Sequence, residues 1–315
     1  MSVAHVSSSA TEGSIVSRTS GGRLRLRRGR WGRYGLVAVV VAYLAWSLLP
    51  VLVAFLFSFN SGYSRSIWQG FSMRWWTGPA SVFHQPIYTD AIRHSFVLAV
   101  LVVLISVPLG VSLSIFLSRW RGVTSKPATF LSTVPLVVPE LVLALAMFFL
   151  VTKLLHFVKL GTTAQVAGQV TFILPLVIVI TRGRLASIPI GFEEAAMDLG
   201  ASPFQAFRLA LIPLLQPAIL ASAIVAFAVS IDDFVITQYL SSTSATQSVP
   251  MLIYTATRGT ATPALNAMAT VMAVTTVVVT GLGYILYRFV ARSEQIPTIA
   301  REDVPAMPVL GEGVA

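Results

Sequence analysis

The sequence predicts an all-α integral membrane bundle of six transmembrane helices, and three observations predict it. Hydrophobic residues make up 55% of the 315-residue chain and charged residues only 11%, against about 25% charged in a soluble domain. Apolar stretches long enough to cross ~30 Å of hydrocarbon as a helix occur six times. No Lys or Arg falls inside any of the six. A chain of this kind cannot cover itself with polar surface, so its solvent is lipid.

In chain order, residues 1–34 are polar and carry seven arginines, from Arg18 to Arg33. They read as a disordered basic tail on the cytoplasmic side. Arg27-Arg28 has the look of a twin-arginine signal, but the apolar run after it is too long for a signal and lacks a small-residue cleavage site. The expected spans are 35–59, 95–118, 127–152, 162–181, 217–240 and 265–287. The third carries Glu140, the fourth Gln165 and Gln169, and the fifth Asp232 and Asp233. With the N-terminus inside, 16 of the 22 Lys and Arg residues lie on inner segments. That bias puts both termini in the cytoplasm. Residues 291–315, with Pro297, Pro305 and Pro308, read as a loose cytoplasmic tail. The membrane domain is therefore expected over 35–290.

Composition excludes several function classes. The chain has no cysteine, which removes disulfides, thiol chemistry and Cys-based metal sites. The four histidines match no metal-ligand spacing and read as loop residues, so no metal site is expected. The net charge of +10 would suit nucleic acid on a soluble protein. Here the cations edge apolar runs, and no basic face with interleaved aromatics exists, so no nucleic-acid partner is expected. Neither H-E-x-x-H nor G-x-S-x-G occurs, so no catalytic residue is expected. Residues 60–94 lie outside and contain Trp68, Trp75 and Trp76, which suit an interfacial belt or a lid. The outer segment 241–264 is rich in Ser and Thr.

The inner segment 190–213 is the most informative. Glu193 and Glu194 fall in a first helical turn, where acids complement the helix dipole. Gly200 sits where a helix stops in the left-handed conformation. Ser202-Pro203 is an N-cap and first-turn pair for a second short helix. Phe204, Phe207 and Leu211 give that helix one apolar face, and Pro213 is expected to end it before Pro217 opens the fifth span. Such a hairpin either connects two spans or docks a soluble partner. Ala195 and Ala196 would allow close backbone approach, and the acids would pair with the partner's cations.

The same stretch resembles the EAA loop of the permeases of ATP-binding-cassette (ABC) importers. Glu194-Ala195-Ala196 is followed three residues on by Gly200, and Pro213 falls at the expected place. Ala210 and Ile212 stand where Ile and Leu are usual, and both remain apolar. The resemblance implies a type I importer permease whose coupling helix sits in a groove of an ATPase subunit. Glu193, Glu194, Ala195, Ala196, Gly200, Ala201 and Pro213 are the expected coupling residues. The chain has no Gly-x-x-x-x-Gly-Lys-Ser/Thr loop, so ATP-Mg belongs to partner subunits and none is bound here.

The buried acids need a reason, since a central Asp costs about 2.5–3.5 kcal/mol on insertion scales. Adjacent residues on a helix point about 100° apart, so Asp232 and Asp233 are expected to face different neighbours. Pro135 and Pro139 break the third span around Glu140. The acids either brace the backbone or form a cation site in the pathway. Three acids with no basic residue deep in the spans favour a cationic solute, unless the charge is neutralised or paired with a second subunit.

Ser58-Phe-Asn-Ser61, Trp68-Gln-Gly-Phe, Trp75-Trp76, Val137-Val-Pro-Glu-Leu141 and Ser230-Ile-Asp-Asp-Phe-Val235 are similar to the spermidine/putrescine permeases, in particular their second permease subunit. The likeness covers about residues 35–290 and implies one half of a bacterial inner-membrane importer. Its expected partners are a second permease subunit, two copies of an ATPase and an extracytoplasmic solute-binding protein. The expected mechanism is alternating access. Another small solute, such as an opine, an amine or an organic ion, suits the same build.

Overall fold

The structure, a computed structural model, describes residues 30–64, 67–119, 122, 125–258 and 262–293. Most of the two expected tails lies outside the described residues. The chain divides into two units, Met1–Pro50 and Val51–Ala315. The described part of the first is a single helix, the beginning of α1 (Arg30–Phe57). It starts four residues before the expected end of the tail.

In the second unit the chain between the first two spans is folded. Asn60 organises it: its side chain donates to Ser64 O at 2.9 Å and Ile67 O at 3.0 Å, and accepts from Gln69 N at 2.8 Å. The short helix α2 (Arg74–Thr77) follows. Trp75 on it is 2% exposed and donates its indole N–H to Asn60 O at 2.7 Å. Trp75 is thus a core residue of this segment and not an interfacial anchor, because its one polar atom is satisfied inside. Trp68 remains half exposed, edge-on to Phe57.

The second span, α3 (Pro86–Arg119), begins nine residues before the expected boundary. Its first turns carry Asp90, Arg93 and His94, polar residues that hid the helix start. The third span is two helices, α4 (Ser125–Val137) and α5 (Glu140–Phe149), the latter prolonged by a wide π turn over Leu150–Leu154. Their axes differ by 103°. Pro139 lacks an N–H and is itself outside the helical region, at φ −54° and ψ 132°, so one helix ends and another starts. The fourth span is α6 (Thr162–Leu185).

Then come α7 (Gly191–Asp198) and α8 (Pro203–Ala206). A π turn over Phe207–Leu211 leads into α9 (Ile212–Asp232), and Pro203–Asp232 runs as one long helix. Pro213 therefore does not end the second hairpin helix. The π turn before it, in which Ile212 N bonds Phe207 O, makes the i→i+5 bond that lets a proline ring follow without breaking the run. The span also stops eight residues short of its expected end at 240. It gives way to α10 (Val235–Leu240), and α11 (Val249–Thr257) and α12 (Ala264–Ser293) complete the chain. Among the described residues, five helices are long and apolar enough to cross a membrane, and the bent pair makes six.

The centre is the trio α3, α6 and α9, with Leu98, Val102, Ile173, Val177 and Ala226 buried between them. Gly110 lies where any Cβ would meet Val177 Cγ1 at 2.5 Å, so α3 and α6 approach through it. On one side α12 packs on α9; on another α10 packs on α5, with Leu143, Ala144, Ile236 and Leu240 buried. Many large apolar side chains point outward, among them Leu104, Phe116, Leu131, Val277 and Leu282, as a lipid solvent requires.

Candidate functional site

The contact between α10 and α5 decides the site. Glu140 is the first residue of α5, just after the break at Pro139, and Asp232 and Asp233 stand at the break between α9 and α10. Packing the two helices brings both breaks to one place. Glu140, Asp232 and Asp233 all line a cavity of about 250 Å³, completed by Phe172, Val229, Phe234 and Val235. None of these lining residues is basic. The three carboxyls are not gathered closely enough to ligate one metal ion.

The expected helical offset of the two aspartates does not apply, because the helix ends between them. Asp232 is the last residue of α9, whereas Asp233 is extended, at φ −64° and ψ 120°. Its Oδ1 accepts from Ile236 N at 3.0 Å, and its main-chain carbonyl accepts from Thr237 Oγ1 at 2.8 Å. The carboxylate thus starts α10 and competes for the backbone that would have continued α9. Its other oxygen, Oδ2, is buried and accepts no hydrogen bond of 3.5 Å or less, in a residue 8% exposed, while the Gln169 amide acts on the carboxylate from farther away. One oxygen of Asp233 thus braces the start of α10, and the residue also lines the cavity.

Two glutamines of α6 staple the break. Gln169 accepts from Ser230 Oγ at 2.5 Å and donates to Ser230 O at 3.4 Å. One turn away, Gln165 donates to Thr237 O at 3.0 Å and Thr246 O at 2.9 Å, and its Oε1 meets His94 Nε2 at 2.8 Å. Both glutamines are fully buried. Val249 N donates to Ser95 Oγ at 2.9 Å, which ties the start of α11 to α3. Gly168, between the glutamines, lies where a Cβ would clash with Leu240 and Ile236, so α10 sits directly on α6. The sequence offered one signal for these staples, two amides four residues apart in an apolar run. His94, expected in a loop, is on α3, and nothing local marked it.

The hairpin lies at the other end of the Pro203–Asp232 run, whose 30 residues span ~45 Å at 1.5 Å per residue. Gly200 adopts φ +89°. Ala201 N bonds Ala196 O at 3.0 Å and Gly200 N bonds Met197 O at 2.9 Å, the paired bonds of a Schellman cap. Ser202 and Gln205 form a reciprocal capping box on α8. The helix α7 has no buried residue, and Glu194, Ala195 and Gly200 are exposed. Phe192, Leu199 and Phe204 are exposed beside them, Leu199 at 90%. Leu211 is buried with Leu215, Leu185 and Ile188, and Phe207 packs against them. Glu193 is ion-paired with Arg119, the last residue of α3. Arg119 had counted in the sequence only as a topological charge.

A bundle of apolar helices, broken at a polar cavity and carrying a bare amphipathic hairpin at its far end, is built as the membrane subunit of a solute transporter. The comparisons say which kind. Residues 106–295 match the family described as binding-protein-dependent transport system inner membrane component. The chain is 31% identical over 266 residues to the putrescine transport system permease protein PotI of Escherichia coli K12, covering 82% of this chain and 92% of that one. It is 30% identical over 250 residues to the spermidine/putrescine transport system permease protein PotC of the same organism, covering 79% and 91%. A bacterial ABC transporter involved in import of the acidic polysaccharide alginate superposes with a TM-score of 0.69 at 13% identity, over 82% of this chain and 96% of that one. At that identity the likeness is one of fold. This chain belongs to the binding-protein-dependent inner-membrane transport family, and it is a multi-pass permease subunit.

Proposed function

We propose that the chain forms half of the translocation pathway of an ATP-driven importer for polyamines such as putrescine and spermidine. One observation carries the solute class: the three acidic residues Glu140, Asp232 and Asp233 line one cavity without a basic residue. Like charges around one cavity repel, and an organic ammonium relieves that repulsion. The names of the relatives support the same solute. The fold by itself does not, since a similar bundle serves an acidic polysaccharide.

The hairpin of α7 and α8 is the surface for a partner ATPase. Glu194 offers a charge, Ala195 and Ala196 allow close approach, and Phe192, Leu199 and Phe204 supply apolar contact. ATP-Mg is held by two copies of that partner, because this chain lacks a phosphate-cradling loop. A second permease subunit supplies the other half of the pathway, and a solute-binding protein docks at the acid end. The charge bias supports a cytoplasmic hairpin and cytoplasmic termini. Closure of the ATPases moves the hairpins, the bundle opens outward, the solute enters, and hydrolysis returns it inward.

The test is ATP-dependent uptake of labelled spermidine by the complete importer in proteoliposomes. Uptake competed by putrescine is the expected result. An assembled, ATPase-active complex that takes up no amine would discard the solute and keep the permease.

A further inference from the structure

The end of the bundle that carries the hairpin has an open recess of about 480 Å³, where α4 meets α3 and α6. From α3 it takes Leu117, two residues before the Arg119 that pairs with Glu193. Two cations line it from different helices, Lys126 of α4 and Arg182 of α6, and no lining residue is acidic. Lys126 is exposed and Arg182 half-buried. Among the described residues neither side chain makes a hydrogen bond or an ion pair. The Thr129 hydroxyl in the same wall is also unbonded, whereas that of Thr133 donates to Phe130 O at 2.8 Å. Lys126 is the second residue of α4, so the free N–H groups of that helix start stand on the same rim.

An apolar groove of about 370 Å³ adjoins the recess. Leu109, Leu113 and Phe116 of α3 and Leu174 of α6 line it, so consecutive residues, Phe116 and Leu117, face the groove and the recess. No residue of α9 lines either hollow. Both therefore open on the side of the α3–α6 contact away from α9. Leu109, Leu113 and Leu117 recur every four residues on one stripe of α3. From Leu117 to Leu109, as from Arg182 to Leu174, is eight residues, ~12 Å along the helix. The groove thus leads from the cations toward the middle of the span.

We propose that the recess and the groove together bind one anionic phospholipid. Its phosphate lies between Lys126 and Arg182, and the first part of one acyl chain lies along α3 and α6. An ammonium and a guanidinium carry donors and no acceptor, and a phosphate diester offers them charged acceptor oxygens. The Thr129 hydroxyl adds a neutral donor. A single cation at the end of a span meets whichever headgroup passes. Two cations on neighbouring helices, with an apolar track beside them, hold one lipid in one place. The site is independent of the solute that the importer carries.

The complete importer, purified in detergent, is titrated with phosphatidylglycerol and with phosphatidylcholine of the same acyl chains, and bound lipid is counted by native mass spectrometry. The wild type should bind phosphatidylglycerol in preference. Lys126→Gln and Arg182→Gln should each weaken that binding about fivefold, and together about thirtyfold. Lys126→Arg should keep it. Leu113→Trp, which fills the groove and leaves both cations, should weaken it too. Glycerol phosphate, a headgroup without chains, should fail to displace the lipid. Co-purification of the partner subunits checks folding, and the single variants carry the test if the double one does not assemble. Equal binding of the two lipids, or phosphatidylglycerol binding that none of the Gln variants weakens, would overturn the site, as it would if a partner subunit covers the recess. Displacement by equimolar glycerol phosphate, or full binding by Leu113→Trp, would overturn the lipid and leave a site for free phosphate.

Discussion

Replacing Asp233 with Asn separates the two jobs of its carboxylate. The oxygen that accepts from Ile236 N at 3.0 Å is kept as the amide oxygen, and Asn caps a helix start as well as Asp. Helix α10 should therefore stay in place. The buried Oδ2 becomes an NH2 group that has two carboxyls of the same cavity as candidate acceptors. A cationic solute then loses one charge-assisted hydrogen bond, about 1.5–3 kcal/mol, which is about 10- to 150-fold in affinity. The assay is the concentration dependence of spermidine uptake by the reconstituted importer, with co-purification of its partner subunits as the control for assembly. The KM should rise by that factor while assembly is unchanged. Asp233→Leu should lose the cap as well, about 1 kcal/mol more, and yield less complex. An Asn variant that assembles and shows the wild-type KM would refute the pathway role and leave Asp233 as a brace for α10.

Three further perturbations address the rest of the molecule. Gly200→Val places a β-branched residue at φ +89°, at a cost of about 1–2 kcal/mol; the cap should distort and partner ATPase should fail to co-purify or fail to drive uptake, and normal coupled uptake would remove Gly200 from the interface. Arg119→Glu and Glu193→Arg should each reduce solute taken up per ATP hydrolysed, and the double exchange should restore it if the ion pair holds α7 to α3; equal behaviour of all three would show the pair to be inert. Gln165→Leu removes three hydrogen bonds of 2.8 to 3.0 Å, together about 2 kcal/mol at the average of ~0.6 for such bonds in membranes. The detergent-solubilised complex should unfold at lower temperature, and an unchanged transition would mean that the break is held by packing alone.

Much of the fold was legible because lipid imposes requirements that a linear pattern can express. A helix must be long enough to cross, its flanks must carry the cations, and its termini must be capped. Those requirements are local, so the number of spans, the Schellman cap at Gly200, the box at Ser202 and the break beside Pro139 all followed from neighbours in sequence. Misplaced boundaries share one cause. The start of α3 is polar, and the end of α9 is apolar on both sides, so hydropathy read past Asp232 while the Asp233 carboxylate was taking the backbone of α10. Pro213 misled in the opposite direction, because a π turn five residues long absorbed it.

What the sequence by itself determined was the solvent, the span count, the hairpin and the presence of three acids in apolar surroundings. Only the tertiary structure decided that Glu140, 92 residues before Asp232 in the numbering, shares a cavity with it, because α5 packs on α10 at the point where both spans are interrupted. The same holds for the glutamine staples and for the pairing of Glu193 with Arg119. Side-chain type and periodicity specify which face of a helix is apolar; which other helix covers that face is set by the packing of the whole bundle, and the site exists only where two such packings meet.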